Sequence, residues 1–468
     1  MAFSSNAFLF GFLPLCLVCY FVLPAKFRGA RNFILLAFSM GFYCWGGLRL
    51  LPALLASCLV NWGAGLLLGG KHRKGIYLAA LILNIAMLGY YKYTGFLLGN
   101  LKALGMDVAI PSIALPAGIS FFTFQFIAYL TDVYRGTIPA EKNLFRLTLF
   151  TVFFPQLLQG PILRYGDFAP QLTERQETAS DAAAGAVRFC FGLAKKVLLA
   201  DTLGQIADAA FASGDRLTVA FAWLGAVAYT LQLYFDFSGY TDMAIGLGRV
   251  LGFRIPENFN YPYIAKSASE FWRRWHMTLS FWFRDYVYIP LGGNRCAKGR
   301  QILNLLVVWA LTGLWHGSAW NFVLWGLYYA ALLLGEKFLW GKTLEKLPRP
   351  VRHVYALVLI VIGWVLFRST SLHQVLTMVT AMFGFAPGGA WSSEAYYYLY
   401  QFRWELLLAI PAALPVKNWL TAWLSRREDR LAALTLELGP KVLGGALLIF
   451  SVVRLLSSTF RSFLYFQF

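Results

Sequence analysis

The sequence predicts an all-α polytopic membrane protein, and three observations carry that expectation. Charged residues make up only 13% of the 468 positions while 59% are hydrophobic, against roughly a quarter charged in a soluble domain. Apolar stretches of about twenty residues, each long enough to cross a hydrocarbon layer as a helix, recur along the whole length. The 41 lysines and arginines sit mostly in the loops between those stretches, as the cytoplasmic bias of positive charge requires. A net charge of +19 would otherwise suggest nucleic acid. With the charge spread over loops instead of one basic domain, membrane lipids are the expected surroundings and no nucleic acid is.

The first spans are expected near residues 7–24, 31–48, 50–69, 76–98 and 113–133. The first has no basic residue before it and no small-residue cleavage site after it, so it reads as a retained span and not a signal peptide. Lys26, Arg28 and Arg31 follow the first span, Lys71, Arg73 and Lys74 the third, and Arg135, Lys142 and Arg146 the fifth. Those alternate loops belong in the cytoplasm, which puts the N-terminus outside. The pattern then loosens. TVFFPQLLQGPILRYGDF (151–168) holds two prolines, two glutamines and an arginine, and such backbone is tolerated at membrane depth only within protein or beside a water-filled cavity. GAVRFCFGLAKKVLLAD (185–201) sets Arg188, Lys195 and Lys196 on one side of a helix, which suits a helix lying in the cytoplasmic interface.

An apolar run over about 217–248 is interrupted by DFSGYTD, and a polar, aromatic stretch occupies 254–300. The run 302–334 follows, then spans near 354–367, 372–386, 403–415 and 441–458. The total is roughly ten or eleven transmembrane helices, with re-entrant or interfacial helices among them. No internal repeat is visible, so one membrane domain, 1–468, is expected. Its parts are N-terminal helices at 1–135, a core of broken and re-entrant helices at 136–335, and C-terminal helices at 336–468. The six cysteines have no zinc-site spacing, and neither a disulfide nor a metal is indicated.

Candidate functional residues concentrate in the core. LTGLWHGSAWNFVLWG (311–326) places His316 between Gly313 and Gly317 in a run too long for one crossing. The expectation is a broken helix with His316 at the break, Ser318 capping the next helix, and the freed backbone groups lining a cavity. Trp315 and Asn321 flank that break, and Trp315 with neighbouring backbone amides is a candidate for oxyanion support. SEFWRRWHMTLSFWFRDYVYIPLGGNR (269–295) carries Arg273, Arg274 and a second histidine, His276. As one helix it would stack Trp272, His276, Ser280 and Arg284 on a single face. Its arginine pair suits an anionic donor such as a nucleotide phosphate or phosphopantetheine, the alternative being an aromatic belt with snorkelling arginines. Asp236, with Ser238 beside it, either pairs with one of those arginines, the reading preferred here, or orients a catalytic histidine. His72, His353 and His373 have no comparable setting. A neutral buried imidazole is a general base that can deprotonate a hydroxyl as its oxygen attacks an acyl carbonyl. No GxSxG nucleophile motif is present, so direct transfer is simpler than an acyl-enzyme.

Two long segments, PENFNYPYIAKSASEFWRRWHMTLSFWFRDYVYIPLGGNR and LTGLWHGSAWNFVLWGLYYA, resemble the signature regions of the membrane-bound O-acyltransferase (MBOAT) family. PAGISFFTFQFIAYLTDVYRG, FPQLLQGPILRY, YFDFSGYTDMAIGLGRVLGF and the terminal FLYFQF are similar to its bacterial cell-envelope branch, which includes alginate and peptidoglycan O-acetyltransferases. The resemblance covers nearly the whole chain. It implies that His316, in the W-H-G element, and His276, in R-W-H-x-S/T-L-S, are the catalytic residues, around a central tunnel. It implies further an acetyl-CoA or other acyl thioester donor on the cytoplasmic side, near Arg273 and Arg274, with no bound cofactor. The acceptor would be an envelope or secreted polysaccharide of alginate, cellulose or peptidoglycan type, reached through a separate periplasmic partner of the SGNH-hydrolase-like type. The setting would be the bacterial inner membrane. Rival readings are a D-alanyl transfer protein of teichoic acid synthesis, a non-catalytic transporter or channel for an acyl donor, and a scaffold. Histidines at depth also serve proton relays, but secondary transporters usually show repeated halves.

Overall fold

The computed structural model describes residues 2–427 and 429–457, so the FLYFQF motif lies outside the described residues. Among those described the chain is helical throughout, without strands. Four helices, Leu48–Leu67, Arg73–Ala103, Arg349–Arg368 and Arg430–Ser457, are long and apolar enough to cross a membrane. A fifth crossing results if Arg403–Ala413 and Val416–Leu424, bent by 62°, form one span. The chain divides into two compact units, one of residues 1–186 and 244–256, the other of 187–243 and 257–468.

In the first unit the expected early spans appear as helices at Leu13–Val22 (led in by a π-turn at Ala7–Phe12), Arg28–Trp45, Leu51–Leu67, Arg73–Leu88 and Ile119–Arg135. Asn61 and Asn84 exchange amide hydrogen bonds of 2.7 and 3.2 Å between two of them, which satisfies both polar groups without water. The proline- and glutamine-rich stretch leaves helical geometry after Val152 and is buried. Its freed groups find protein partners: the Phe154 amide donates to Ser39 Oγ at 3.2 Å and Gln156 Nε2 to Phe150 O at 3.0 Å. Arg31, read from sequence as part of a basic loop, is buried and pairs with Glu177 at 3.2 Å beside Arg28 and Arg175.

The second unit corrects one expectation, the placing of the basic face of 185–201. The helix at Val219–Val250 runs unbroken through DFSGYTD, because both aspartates have cations against them. Lys196 Nζ lies 2.6 Å from Asp236 and 2.8 Å from Asp201. Arg188 and Lys195 reach Asp242 at 2.9 and 2.7 Å. The basic face of 185–201 is therefore turned onto this helix instead of towards an interface, since buried charge must be paired. Close approach makes the pairing possible: a Cβ on Gly239 would stand 2.7 Å from Gly192 O, and one on Gly192 2.6 Å from Gly239 O.

Candidate functional site

Every candidate residue read from the sequence lies in the second unit. His316 ends the helix Lys298–His316, and a three-residue connection leads to Trp320–Phe338. The two helices do not continue one axis. They fold back as a tight antiparallel hairpin, with Gly326 against Trp309 O and Gly313 against Phe322 O. At both glycines a Cβ would collide with the facing backbone, as in small-residue packing between membrane helices. Gly317 is extended, and a Cβ there would strike the Phe322 ring. The second hairpin helix is preceded by Ala319 with no side-chain cap, so Ser318 does not cap it. The helix begins at Trp320, which puts Ala319 and not the serine at the cap position.

His316 is 6% exposed and packs edge-on against Trp325 and Phe367, with ring centroids 5.1 and 5.4 Å away. Trp315 is 5.0 Å from His316 and 5.9 Å from His276. The two imidazoles, forty residues apart in sequence, are thus in ring contact with one indole. Asn321 Nδ2 donates to Phe367 O at 3.3 Å, tying the hairpin turn to the end of the helix Arg349–Arg368.

Around His276 a single helix does not form. Ala268–Trp272 stops, four residues turn, and Met277–Phe283 begins with His276 as its cap at φ 44°, ψ 52°. The stack of Trp272, His276, Ser280 and Arg284 on one helix face is therefore not realised. A left-handed histidine costs energy, and a strap without regular secondary structure, residues 257–260, holds it in place. Met277 N donates to Asn258 O at 2.9 Å, and Asn260 N to Arg274 O at 2.9 Å. The Asn258 side chain, 0% exposed, lies 3.1 Å from His276 Nδ1 through its oxygen. The same oxygen accepts from Thr278 N at 3.2 Å and Thr278 Oγ1 at 2.9 Å. His276 is 1% exposed, touches Phe237 at 4.7 Å, and among the described residues has no hydrogen-bond partner at Nε2. This segment holds no α-helix longer than seven residues, so it lies outside the spanning helices. Burial alone pushes the imidazole down to about 3, and His276 is neutral in the resting site.

The arginine pair splits. Arg274 is bound to Glu270 at 2.9 Å and to Asn260 O at 3.1 Å, whereas Arg273 is exposed and makes no ion pair among the described residues. Asp236, 1% exposed, meets Lys196, and Ser238 is buried with no partner for Oγ among the described residues. Among the described residues no cluster of three His, Cys, Asp or Glu side chains is placed to hold a metal. His72 and His373 are exposed, and His353 Nδ1 lies 3.2 Å from Ala265 O.

Two organising residues escaped the sequence reading. Asn258 is one, 18 residues before its histidine. Glu336 is the other: its carboxylate accepts from Ala268 N at 2.7 Å and Ser269 N at 2.8 Å. That caps the short helix preceding the arginines, Ala268–Trp272, and anchors it to the hairpin. The P-E-N-F-N wording of 256–260 was the only signal for Asn258, and none existed for Glu336.

Comparison with known proteins gives four findings within one family. The family model described as MBOAT, the membrane-bound O-acyltransferase family, matches residues 138–343, a span that contains both histidines. A probable alginate O-acetylase of Azotobacter vinelandii is 44% identical over 84% of this chain and 79% of its own. A peptidoglycan O-acetyltransferase of Helicobacter pylori is 33% identical over 82% and 80%. A teichoic acid D-alanyltransferase of Bacillus subtilis is 32% identical, over 49% of this chain and 62% of its own.

Proposed function

The chain belongs to the membrane-bound O-acyltransferase family and is an acyltransferase, and on that premise we propose that it moves an acetyl group from a cytoplasmic thioester, acetyl-CoA or an acyl carrier, across the bacterial inner membrane for O-acetylation of an envelope or secreted polysaccharide. The observation that carries this reading is the pair of buried imidazoles on one indole, set in a dry aromatic surround where proton transfer and oxyanion stabilisation are strong.

In the proposed reaction His316 takes the proton of an acceptor hydroxyl while that oxygen bonds to the acyl carbon. The carbon–sulfur bond then breaks, and the proton ends on the departing thiolate. His276, the second imidazole on this route, takes that same proton in turn at Nε2 before it reaches the thiolate. In the resting site nothing stabilises its imidazolium; the negative charge growing on the acyl oxygen supplies that partner in the transition state. Arg273, exposed and without an ion pair, is the cation for the anionic donor, while Arg274 shapes the segment through Glu270. Trp315 separates the histidines, and Ser238 Oγ is a further buried polar group for the passing substrate. The multi-pass topology with roughly ten or eleven crossings, a central tunnel, a periplasmic partner that delivers the acyl group, and a single domain of 1–468 belong to this same reading.

The relatives named for alginate and peptidoglycan O-acetylation match far more of the chain than the D-alanyltransferase does, which favours acetyl over D-alanyl. Inverted membrane vesicles given labelled acetyl-CoA, and in parallel a labelled D-alanyl thioester, decide the matter. The account predicts base-labile label on polysaccharide from the acetyl donor. Transfer from the D-alanyl donor alone would replace this reading with the teichoic acid one.

A further inference from the structure

We propose that Asn258 is a positioning residue that fixes His276 as the Nδ1–H tautomer and so makes Nε2 an obligatory proton acceptor. The inference rests on the catalytic reading of His276 above and adds a residue and a proton direction to it.

Three groups converge on the Asn258 side-chain oxygen: Thr278 N, Thr278 Oγ1 and His276 Nδ1. The Thr278 amide can only donate, which fixes the oxygen of Asn258, and not its nitrogen, at this point. An amide oxygen only accepts, so His276 Nδ1 must carry the hydrogen. A neutral imidazole has one N–H, so Nε2 holds the lone pair. That atom is buried, and among the described residues nothing donates to it. A buried acceptor left unmade costs free energy, as does the left-handed backbone of His276. Both costs fall on one residue and both are sustained by Asn258, whose main chain holds Met277 while its side chain holds the ring. Strain and an unmet acceptor retained together mark a functional atom more readily than a structural one.

No charge competes for the ring. It faces Phe237 from Val219–Val250, Trp315 from the first hairpin helix, and Asn258 from the strap. On those elements Asp236 is held by Lys196, Asp242 by Lys195 and Arg188, and Glu257 by Arg188. In its own segment Glu270 is held by Arg274, and Arg273 points into solvent. Arg284 is held by Asp285, Lys298 and Arg300 are exposed at the start of the first hairpin helix, and His316 lies on the far contact of Trp315. A carboxylate put in place of the Asn258 amide would therefore be the dominant charge on the imidazole, at hydrogen-bond distance from Nδ1–H. It would favour the imidazolium and raise the pKa.

The experiment uses the full-length protein in liposomes. With only five histidines in the chain, 15N-histidine solid-state NMR, assigned with a His276→Gln sample, reads the tautomer directly. The expected spectrum shows His276 protonated at Nδ1 and bare at Nε2; an Nε2–H signal overturns the proposal. Acyl transfer from acetyl-CoA is then followed against pH. Asn258→Asp keeps all three hydrogen bonds, so it should fold, retain activity and move the acidic limb of kcat/KM to higher pH. Asn258→Ala should lower kcat about tenfold to a hundredfold, the scale of losing a group that orients a histidine, with KM for acetyl-CoA unchanged. An unshifted limb in a folded Asn258→Asp protein overturns the proposal while leaving the catalytic histidines intact. Full activity in His276→Ala instead removes the reading beneath it, so the two failures are distinguishable.

Discussion

Arg273 and Arg274 are neighbours in sequence with separate roles, and the difference is measurable. Arg274 is bound within its own turn to Glu270 and the strap, so Arg274→Ala should lower Tm with KM for the donor little changed. Arg273 has no such tie, and Arg273→Ala should raise KM for acetyl-CoA roughly three- to tenfold, the loss of one exposed charge contact, with Tm unchanged. His276 also predicts a pH dependence of stability. Its folded pKa is depressed to about 3, below the ordinary value of about 6.5, so the unfolded chain binds the proton first. Stability from this group is full above about 6.5 and is lost as pH falls from there towards 3; thermal melts of His276→Gln should show a shallower acid slope than wild type. Both histidines were legible in the sequence because an ionisable ring stands out in an apolar run. Asn258 was not: it lies on a strap without periodicity, and its role exists only once that strap folds against residues 276–278. Nor was Asp236 matched to its partner, because Lys196 sat on a helix whose apolar periodicity suggested a lipid interface.

Among the elements, the hairpin carrying His316 sets the sharpest demand. Gly326→Leu puts a side chain into the Trp309 carbonyl; it should lower Tm by several degrees and abolish acyl transfer, because overpacking costs about 1–3 kcal/mol or more and displaces the histidine. Ser318→Ala should leave both unchanged, since Ser318 does not cap the second helix. Lys196→Met leaves Asp236 buried against no lysine and should destabilise by about 3–5 kcal/mol, seen as a large loss in thermal stability of the detergent-solubilised protein. The break at His316 was legible from its glycines and from a run longer than one crossing. The reversal into a hairpin was not, because it depends on which faces of the two helices meet. The aspartates of DFSGYTD were legible as charges within an apolar helix, whereas the cations of 188–196 that meet them were not.

For the molecule as a whole the question is sidedness. The bent pair Arg403–Ala413 and Val416–Leu424 carries cation–aromatic clusters at both ends: Arg403 over Tyr400 at 4.2 Å, and Arg427 over Trp423 at 3.9 Å. Aromatic and basic residues at both ends of an apolar stretch suit two membrane interfaces. In a cysteine-free background, cysteines at Ser393 and Ser425 should differ towards an impermeant maleimide, one reacting from outside the cell and the other only after permeabilisation; equal labelling of both in intact cells would rule out a single crossing. All-helical architecture and membrane residence were legible from composition, whereas the division into two compact units was not, since it depends on contacts between segments far apart in sequence. The central claim, that buried histidines perform the acyl transfer, is tested most directly by turnover in liposomes. Purified wild type and His316→Ala, matched for insertion and Tm, are given labelled acetyl-CoA and a hydroxyl acceptor, and the initial rate of ester formation is measured. The account predicts a fall of about a hundredfold or more, the contribution of a general base; equal rates would contradict it.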